Sequence, residues 1–154
     1  MQRRTTNTVH VGDIAIGSGH PIAVQSMLCV APSDLAANIA QTLVLKEAGC
    51  DIIRLAIPTM DDIRLISAIK NKVDIPLVAD IQFDYRLAIA AVKAGIDKVR
   101  INPGNIGGSD CVHAVVEACR DRHIPIRIGV NSGSLEKDIL QKYGRPTAEA
   151  LVES

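Results

Sequence analysis

Short apolar runs of four to six residues alternate with longer stretches in which apolar residues recur every three or four positions. The short runs predict strands and the longer stretches predict amphipathic helices. Thr8 to Ile16 alternates loosely around Gly12-Asp13, the pattern of a small hairpin. Gly17-Ser18-Gly19-His20-Pro21 then breaks the chain, and Ile22–Ser26 is the first predicted core strand. Ser33 or Asp34 can cap a helix that runs to about Ala48, where Gly49 stops it. Ile52–Ile57 is the second strand, followed by a helix to about Lys72 that starts on a Thr59/Asp62 capping box. Leu77–Ile81 is the third strand, with a helix from Tyr85 to Ala94 ending at Gly95. Lys98–Asn102 is the fourth, with a helix over Ser109–Asp121. Ile126–Val130 is the fifth, after which Ser134 can cap a short helix to Tyr143 and Thr147–Ser154 begins another.

Strand and helix in strict alternation predict an α/β fold with parallel strands and crossover connections. An open doubly wound sheet and a (β/α)8 TIM-type barrel both satisfy that order. No G-x-G-x-x-G loop follows the first strand, which counts against a dinucleotide-binding sheet. Polar residues sit at or near the C-terminal ends of successive strands: Gln25, Arg54, Asp80, Arg100, Asn102, Arg127 and Asn131. A barrel gathers those ends into one mouth, where active sites are built. A whole barrel needs about 250 residues, and 154 residues supply about five βα units. The expectation is therefore the N-terminal part of a barrel spanning residues 1–154, with open first and fifth strands that favour self-association.

The chemistry lies in where the cations fall. Side chains alternate along a strand, so Lys98, Arg100 and Asn102 face one way and Val99 and Ile101 the other. Ile126–Asn131 repeats the device, with Arg127, Gly129 and Asn131 on one face, and Ile52–Pro58 carries Arg54 likewise. Three strands thus send one arginine each in the same direction. An internal salt bridge from Asp80 to one arginine is the plain reading, and it leaves the others without a carboxylate. Lys98, at the opposite end of its strand, can extend to solvent. The reading that uses all the arginines is an anionic ligand, because guanidinium forks match phosphate oxygens in pairs. Asn102, Asn131 and the amides near Gly104-Asn105 and Ser132-Gly133 add neutral donors. A phosphorylated small molecule, with more than one phosphate or a diphosphate, fits this set.

Composition narrows the picture further. The chain is 47% hydrophobic and carries no formal net charge, with Phe83, Tyr85 and Tyr143 its only aromatic residues. That is the palette of parallel α/β proteins, and it supplies neither the basic surface nor the stacking platform of a nucleic-acid binder. No apolar run reaches the ~18 residues of a membrane span. Met1–Asn7 lacks the apolar core of a signal peptide, so the expected compartment is the cytoplasm. Cys29, Cys50, Cys111 and Cys119 form no C-x-x-C motif, and His10, His20, His113 and His123 are scattered. No metal ligand set is expected.

Three stretches carry a family resemblance: Pro76-Leu77-Val78-Ala79-Asp80-Ile81-Gln82-Phe83-Asp84-Tyr85-Arg86-Leu87-Ala88, Arg100-Ile101-Asn102-Pro103-Gly104-Asn105-Ile106-Gly107, and Pro125-Ile126-Arg127-Ile128-Gly129-Val130-Asn131-Ser132-Gly133-Ser134-Leu135-Glu136-Lys137-Asp138. With Val24-Gln25-Ser26-Met27 and Ala48–Arg54, the chain resembles the N-terminal part of the bacterial 4-hydroxy-3-methylbut-2-enyl diphosphate synthase family. The resemblance implies a non-mevalonate isoprenoid enzyme that reductively opens 2-C-methyl-D-erythritol 2,4-cyclodiphosphate. It implies a [4Fe-4S] cluster fed by ferredoxin or flavodoxin. The cluster is held in a C-terminal domain that these 154 residues do not include, so no residue here is a cluster ligand. It implies a homodimer in which one subunit's cluster domain caps its partner's barrel. By the same resemblance Arg54, Gln82, Arg100, Asn102, Arg127 and Asn131 hold the substrate, and no catalytic residue is assigned.

Two positions depart from the family pattern. Leu28-Cys29-Val30 stands where Thr-Asn-Thr is usual, and Gln82 where His is usual. Gln82 can donate a hydrogen bond but cannot carry a proton near neutral pH. Three function classes follow: the substrate-binding part of the reductive synthase, an inactive remnant or phosphate-binding module, and a different phosphate-binding barrel such as a pterin-type synthase. The chain by itself is expected to show no turnover.

Overall fold

Five parallel strands in sequential order form the centre of the computed structural model, which describes residues 4–154. Met1, Gln2 and Arg3, where the stretch inspected for a signal peptide begins, lie outside the described residues. A hairpin of β1 (Val9–Val11) and β2 (Ile14–Ile16) comes first, turning at Gly12 as its spacing predicts. The parallel sheet then runs β3 (Gln25–Met27), β4 (Ile52–Ala56), β5 (Leu77–Asp80), β6 (Lys98–Ile101) and β7 (Ile126–Ile128). Between and after the strands lie α1 (Leu35–Glu47), α2 (Arg64–Lys70), α3 (Tyr85–Lys93), α4 (Ser109–Asp121), α5 (Lys137–Tyr143) and α6 (Ala148–Glu153). Among the described residues the strand order never reverses and has no topological switch point; this is an α/β partial barrel rather than a doubly wound sheet.

The two faces of the sheet differ in what covers them. Ile53, Leu55, Ile57, Leu77, Ala79, Ile81, Val99 and Ile101 point outward and are buried under Leu65, Ile66, Ile69, Leu87, Ala88, Ala91, Val92, Val115 and Cys119 of the helices. Each buried Ile or Leu contributes about 1.5–3 kcal/mol, so this layer holds the sheet together. Burial also pushes the Cys119 thiol up to about 11, which leaves it an inert core residue. On the inner face only the lower end is closed. There Val11 of the hairpin packs on Ile52 and Val78.

Local chemistry explains the boundaries. Of the two candidates, Asp34 caps α1, its carboxylate accepting from the Ala37 amide at 3.0 Å. Gly49 (φ +89°) and Gly95 (φ +86°) end α1 and α3 in the left-handed region, as their positions predict. Asp62 accepts from the Thr59 amide and hydroxyl, and the capped segment opens as a 3-10 turn over Met60–Ile63 before α2.

Three elements are placed differently from expectation. The first core strand covers Gln25–Met27 rather than Ile22–Ser26, because the Asp51 carboxylate takes the Val24 amide at 2.7 Å and keeps it off the ladder. Ile22 is left 80% exposed. The fifth strand stops at Ile128: the Gly129 amide still donates to the Ile101 carbonyl at 2.9 Å, but Pro103 has no N–H to continue the ladder, and the Gly129 carbonyl accepts from Arg100 Nη2 at 3.3 Å instead. Ser134 does not cap a helix: it closes a 3-10 turn over Ser132–Ser134, and α5 starts at Lys137.

Candidate functional site

The strand register places the predicted cations on one face. Arg54 pairs in register with Val78, Asp80 with Arg100, and Arg100 with Arg127, so all five side chains share the inner face. Lys98, in register with Val78, joins them one step lower. On these strands four cations meet one carboxylate, and three positive charges are left in excess.

That carboxylate does more than the sequence reading allowed. Asp80, 2% exposed, takes two arginines and not one. Its Oδ2 accepts from Arg54 Nη2 at 2.5 Å and its Oδ1 from Arg100 Nη1 at 3.1 Å. One acid thus holds two guanidinium groups side by side. Arg100 is tied again by Nη2, which donates to the Gly129 carbonyl at 3.3 Å. Arg54 and Arg100 keep 23% and 14% of their side chains exposed, so each is anchored at one edge and open at another. Arg54 Nε is buried and has no hydrogen-bond partner, a donor held ready without an acceptor.

Arg127 is in a different state. It is exposed and has no carboxylate within salt-bridge distance among the described residues. It lines a groove of about 480 Å³ with Lys98, Gln25 and Ile52. Burial pushes the Lys98 ammonium below its ordinary lysine value, and the neighbouring Arg127 charge lowers it further.

The remaining candidates divide between the mouth and its frame. Gln82 is exposed and lines a cavity of about 160 Å³ at the ends of β4 and β5, together with Asp80, Phe83 and Asp84. Asn102 is 2% exposed, and its amide is spent within the protein. Its Nδ2 donates to the Ser134 hydroxyl at 2.6 Å and its Oδ1 accepts from the Gly104 amide at 3.1 Å. Asn131 is exposed at the start of the 132–134 turn, where its carbonyl accepts from Ser134. Asn102 therefore clasps the loop after β6 to the loop after β7. Gly104 makes the clasp possible: a β-carbon there would stand 1.8 Å from the Ser134 carbonyl oxygen.

Sequence reasoning placed Gly129 on the face of Arg127 and read Ser134 as a helix cap, but missed the contacts they make with Arg100 and Asn102, which no local spacing announces. Leu28, at a departure from the family pattern, is 7% exposed and packs in the outer core rather than lining the mouth. Cys29, beside it, is held by Gln41, which donates to its sulfur at 2.9 Å and accepts from its amide at 3.1 Å. Among the described residues no three His, Cys, Asp or Glu side chains come together as a metal site. The four cysteines are free. The residues present do not fit an iron-sulfur cluster, and no chemical step is assigned through one. Among the described residues no helix is long and apolar enough to cross a membrane.

The GcpE TIM-barrel domain model matches residues 6–154. The chain is 55% identical over 152 residues to 4-hydroxy-3-methylbut-2-en-1-yl diphosphate synthase (flavodoxin) of Vibrio vulnificus (strain YJ016), covering 99% of this chain and 41% of that protein. It is 52% identical over 154 residues to the protein of the same name from Enterobacter sp. (strain 638), covering 100% of this chain and 41% of that one. The chain thus spans about two fifths of the length of these curated relatives. Among solved structures, dihydropteroate synthase from Xanthomonas albilineans superposes with a TM-score of 0.62 at 17% identity, over 89% of this chain and 54% of that one. The Yersinia pestis dihydropteroate synthase gives 0.62 at 13% identity, over 89% and 52%. At such identities the likeness is one of fold.

Proposed function

The chain belongs to the GcpE TIM-barrel domain family, matched over residues 6–154, and from that premise we propose that its inner face is the substrate-holding part of a reductive synthase of isoprenoid biosynthesis. The substrate of this reading is 2-C-methyl-D-erythritol 2,4-cyclodiphosphate and the product 4-hydroxy-3-methylbut-2-enyl diphosphate. The names of the relatives support the product and a flavodoxin electron donor. A ferredoxin donor, the [4Fe-4S] cluster and a homodimer rest on the family resemblance alone.

One observation carries the reading: an inner face with three unneutralised positive charges, two of whose arginines are fixed together on Asp80. A cyclic diphosphate offers closely spaced anionic oxygens to such a set. In this reading Arg54 and Arg100 present their free N–H groups as one unit, because Asp80 has already removed the freedom that binding would otherwise have to remove. Arg127, without a carboxylate, takes the ligand's charge most directly. Asn131 and Gln82 add neutral donors from the mouth, and Asn102 acts through the loop clasp. Asp80 thereby lowers the positive charge by one and in exchange fixes its geometry.

The reductive step needs electrons, which a cluster would supply; among the described residues no three His, Cys, Asp or Glu side chains come together to hold one. In this reading the share of these residues is binding and orientation.

Calorimetric titration with the cyclic diphosphate tests the site. Arg100→Ala or Arg127→Ala should each weaken binding by about 1.5–3 kcal/mol, the scale of a hydrogen bond to a charged group. Unchanged affinity would remove those residues from the site.

A further inference from the structure

We infer that Gly129 is a positioning residue for ligand binding: by carrying no side chain it opens the slot in which the Arg100 guanidinium lies. The inference rests on the proposed reading of Arg100 as a ligand-holding side chain.

Gly129 is not among the glycines with positive φ, so the backbone there does not demand glycine for its own sake. What demands it is space. A β-carbon at 129 would lie 2.4 Å from both Nε and Nη2 of Arg100 and 2.7 Å from Cζ, well inside van der Waals contact. The main chain cannot withdraw to relieve this. The Gly129 amide donates to the Ile101 carbonyl at 2.9 Å, and so ties position 129 to the strand that bears Arg100. The Gly129 carbonyl is also an acceptor for Arg100 Nη2 at 3.3 Å. On the other side Asp80 holds Nη1 at 3.1 Å. The guanidinium is therefore gripped between β5 and the end of β7, and the grip decides which of its five N–H donors stay free for an anion.

The contrast with Gly104 sets the expected outcome. At 104 the obstacle to a β-carbon is the Ser134 main chain, which is fixed. At 129 it is the far end of a side chain, which can swing away. Gly129→Ala should therefore leave the fold intact, displace Arg100 from Asp80, and spoil the arrangement rather than the stability.

The test is a cycle of Gly129→Ala, Arg100→Ala and the double variant in the 154-residue chain. It is read by titration with 2-C-methyl-D-erythritol 2,4-cyclodiphosphate and by the Arg100 Nε–H signal in 15N NMR. That signal is assigned from its loss in Arg100→Ala. Gly129→Ala should weaken binding about tenfold, the equivalent of one charge-assisted hydrogen bond. It should shift the Arg100 Nε–H signal while thermal unfolding stays near wild type, and it should cost nothing further once Arg100 is alanine. Losses that add in the double variant, or an unmoved Nε–H signal in Gly129→Ala, would overturn the inference. A wild-type chain that does not bind the cyclic diphosphate would sink the reading of the site and with it the ligand-binding role of Gly129, while the Nε–H signal would still show whether Gly129 positions Arg100. Should Gly129→Ala fail to fold, the double variant vacates the slot: recovery of the fold supports the inference, and continued failure contradicts it.

Discussion

Arg54 and Arg100 share an inner face with Lys98 and Arg127, yet the two pairs end in different states. The first pair converges on a carboxylate that is 2% exposed, at 2.5 and 3.1 Å. The second faces a groove of about 480 Å³, and burial and like charge work together to disfavour the Lys98 ammonium. Alternation along the strands sets the face for all four. Asp80, which β5 carries in register with Arg100, separates the anchored pair from the free one, and the Gly129 carbonyl adds a second tie on Arg100. Cations on one face are thereby tied to a carboxylate in one place and left without one in another.

Removing the anchor should erase the difference and give the largest effect on stability. Asp80→Ala leaves two half-buried guanidinium groups uncompensated and should cost about 3 kcal/mol, the low end for breaking a buried pair because both arginines reach solvent. Denaturant titration would show it, and an unchanged midpoint would mean that Asp80 is not the anchor. Next in size, Gly104→Ala drives a β-carbon into the Ser134 carbonyl and should cost about 1–3 kcal/mol, the range for overpacking, with the loops after β6 and β7 forced apart. The smallest effect is expected at the free pair, with the opposite sign. Lys98→Met removes a charge that burial and Arg127 both oppose, and should stabilise by about 0.5 kcal/mol, the scale of a partly exposed charge interaction.

The pH dependence sharpens the last of these. A lysine whose native value is depressed releases its proton in the folded state before it does so in the unfolded state. Its destabilising contribution is fully present below the depressed native value. It fades as pH rises through that value toward the ordinary 10.5, so stability rises with pH in that alkaline window. Lys98→Met should flatten that rise in chemical-denaturation midpoints. A slope the same in both proteins would place the charge elsewhere.

Most of the fold was legible because strands buried on one face under helices must be apolar at alternate positions, as Val99 and Ile101 are around Arg100. Caps and stops such as Asp34, Gly49 and Gly95 carry their own local chemistry and could be read directly. What escaped depends on contacts between strands. Gln25–Met27 is shorter than its apolar run because the distant Asp51 intervenes, and the second arginine on Asp80 follows from a register that no single segment encodes. Gly129 reads in the sequence as a fifth-strand position on the face of Arg127, and only the packed Arg100 shows why it carries no side chain. Asn102 was legible as an inward polar residue, but its clasp on Ser134 required the two loops to meet.

Mapping of 15N amide and arginine Nε–H shifts during titration with the cyclic diphosphate tests the central claim most directly, that the inner face grips a multiply charged anion. Perturbations should concentrate at Arg54, Arg100, Arg127, Gly129 and Asn131, with the helices that cover the outer face unmoved. Shifts spread over those helices, or none at saturating ligand, would contradict it.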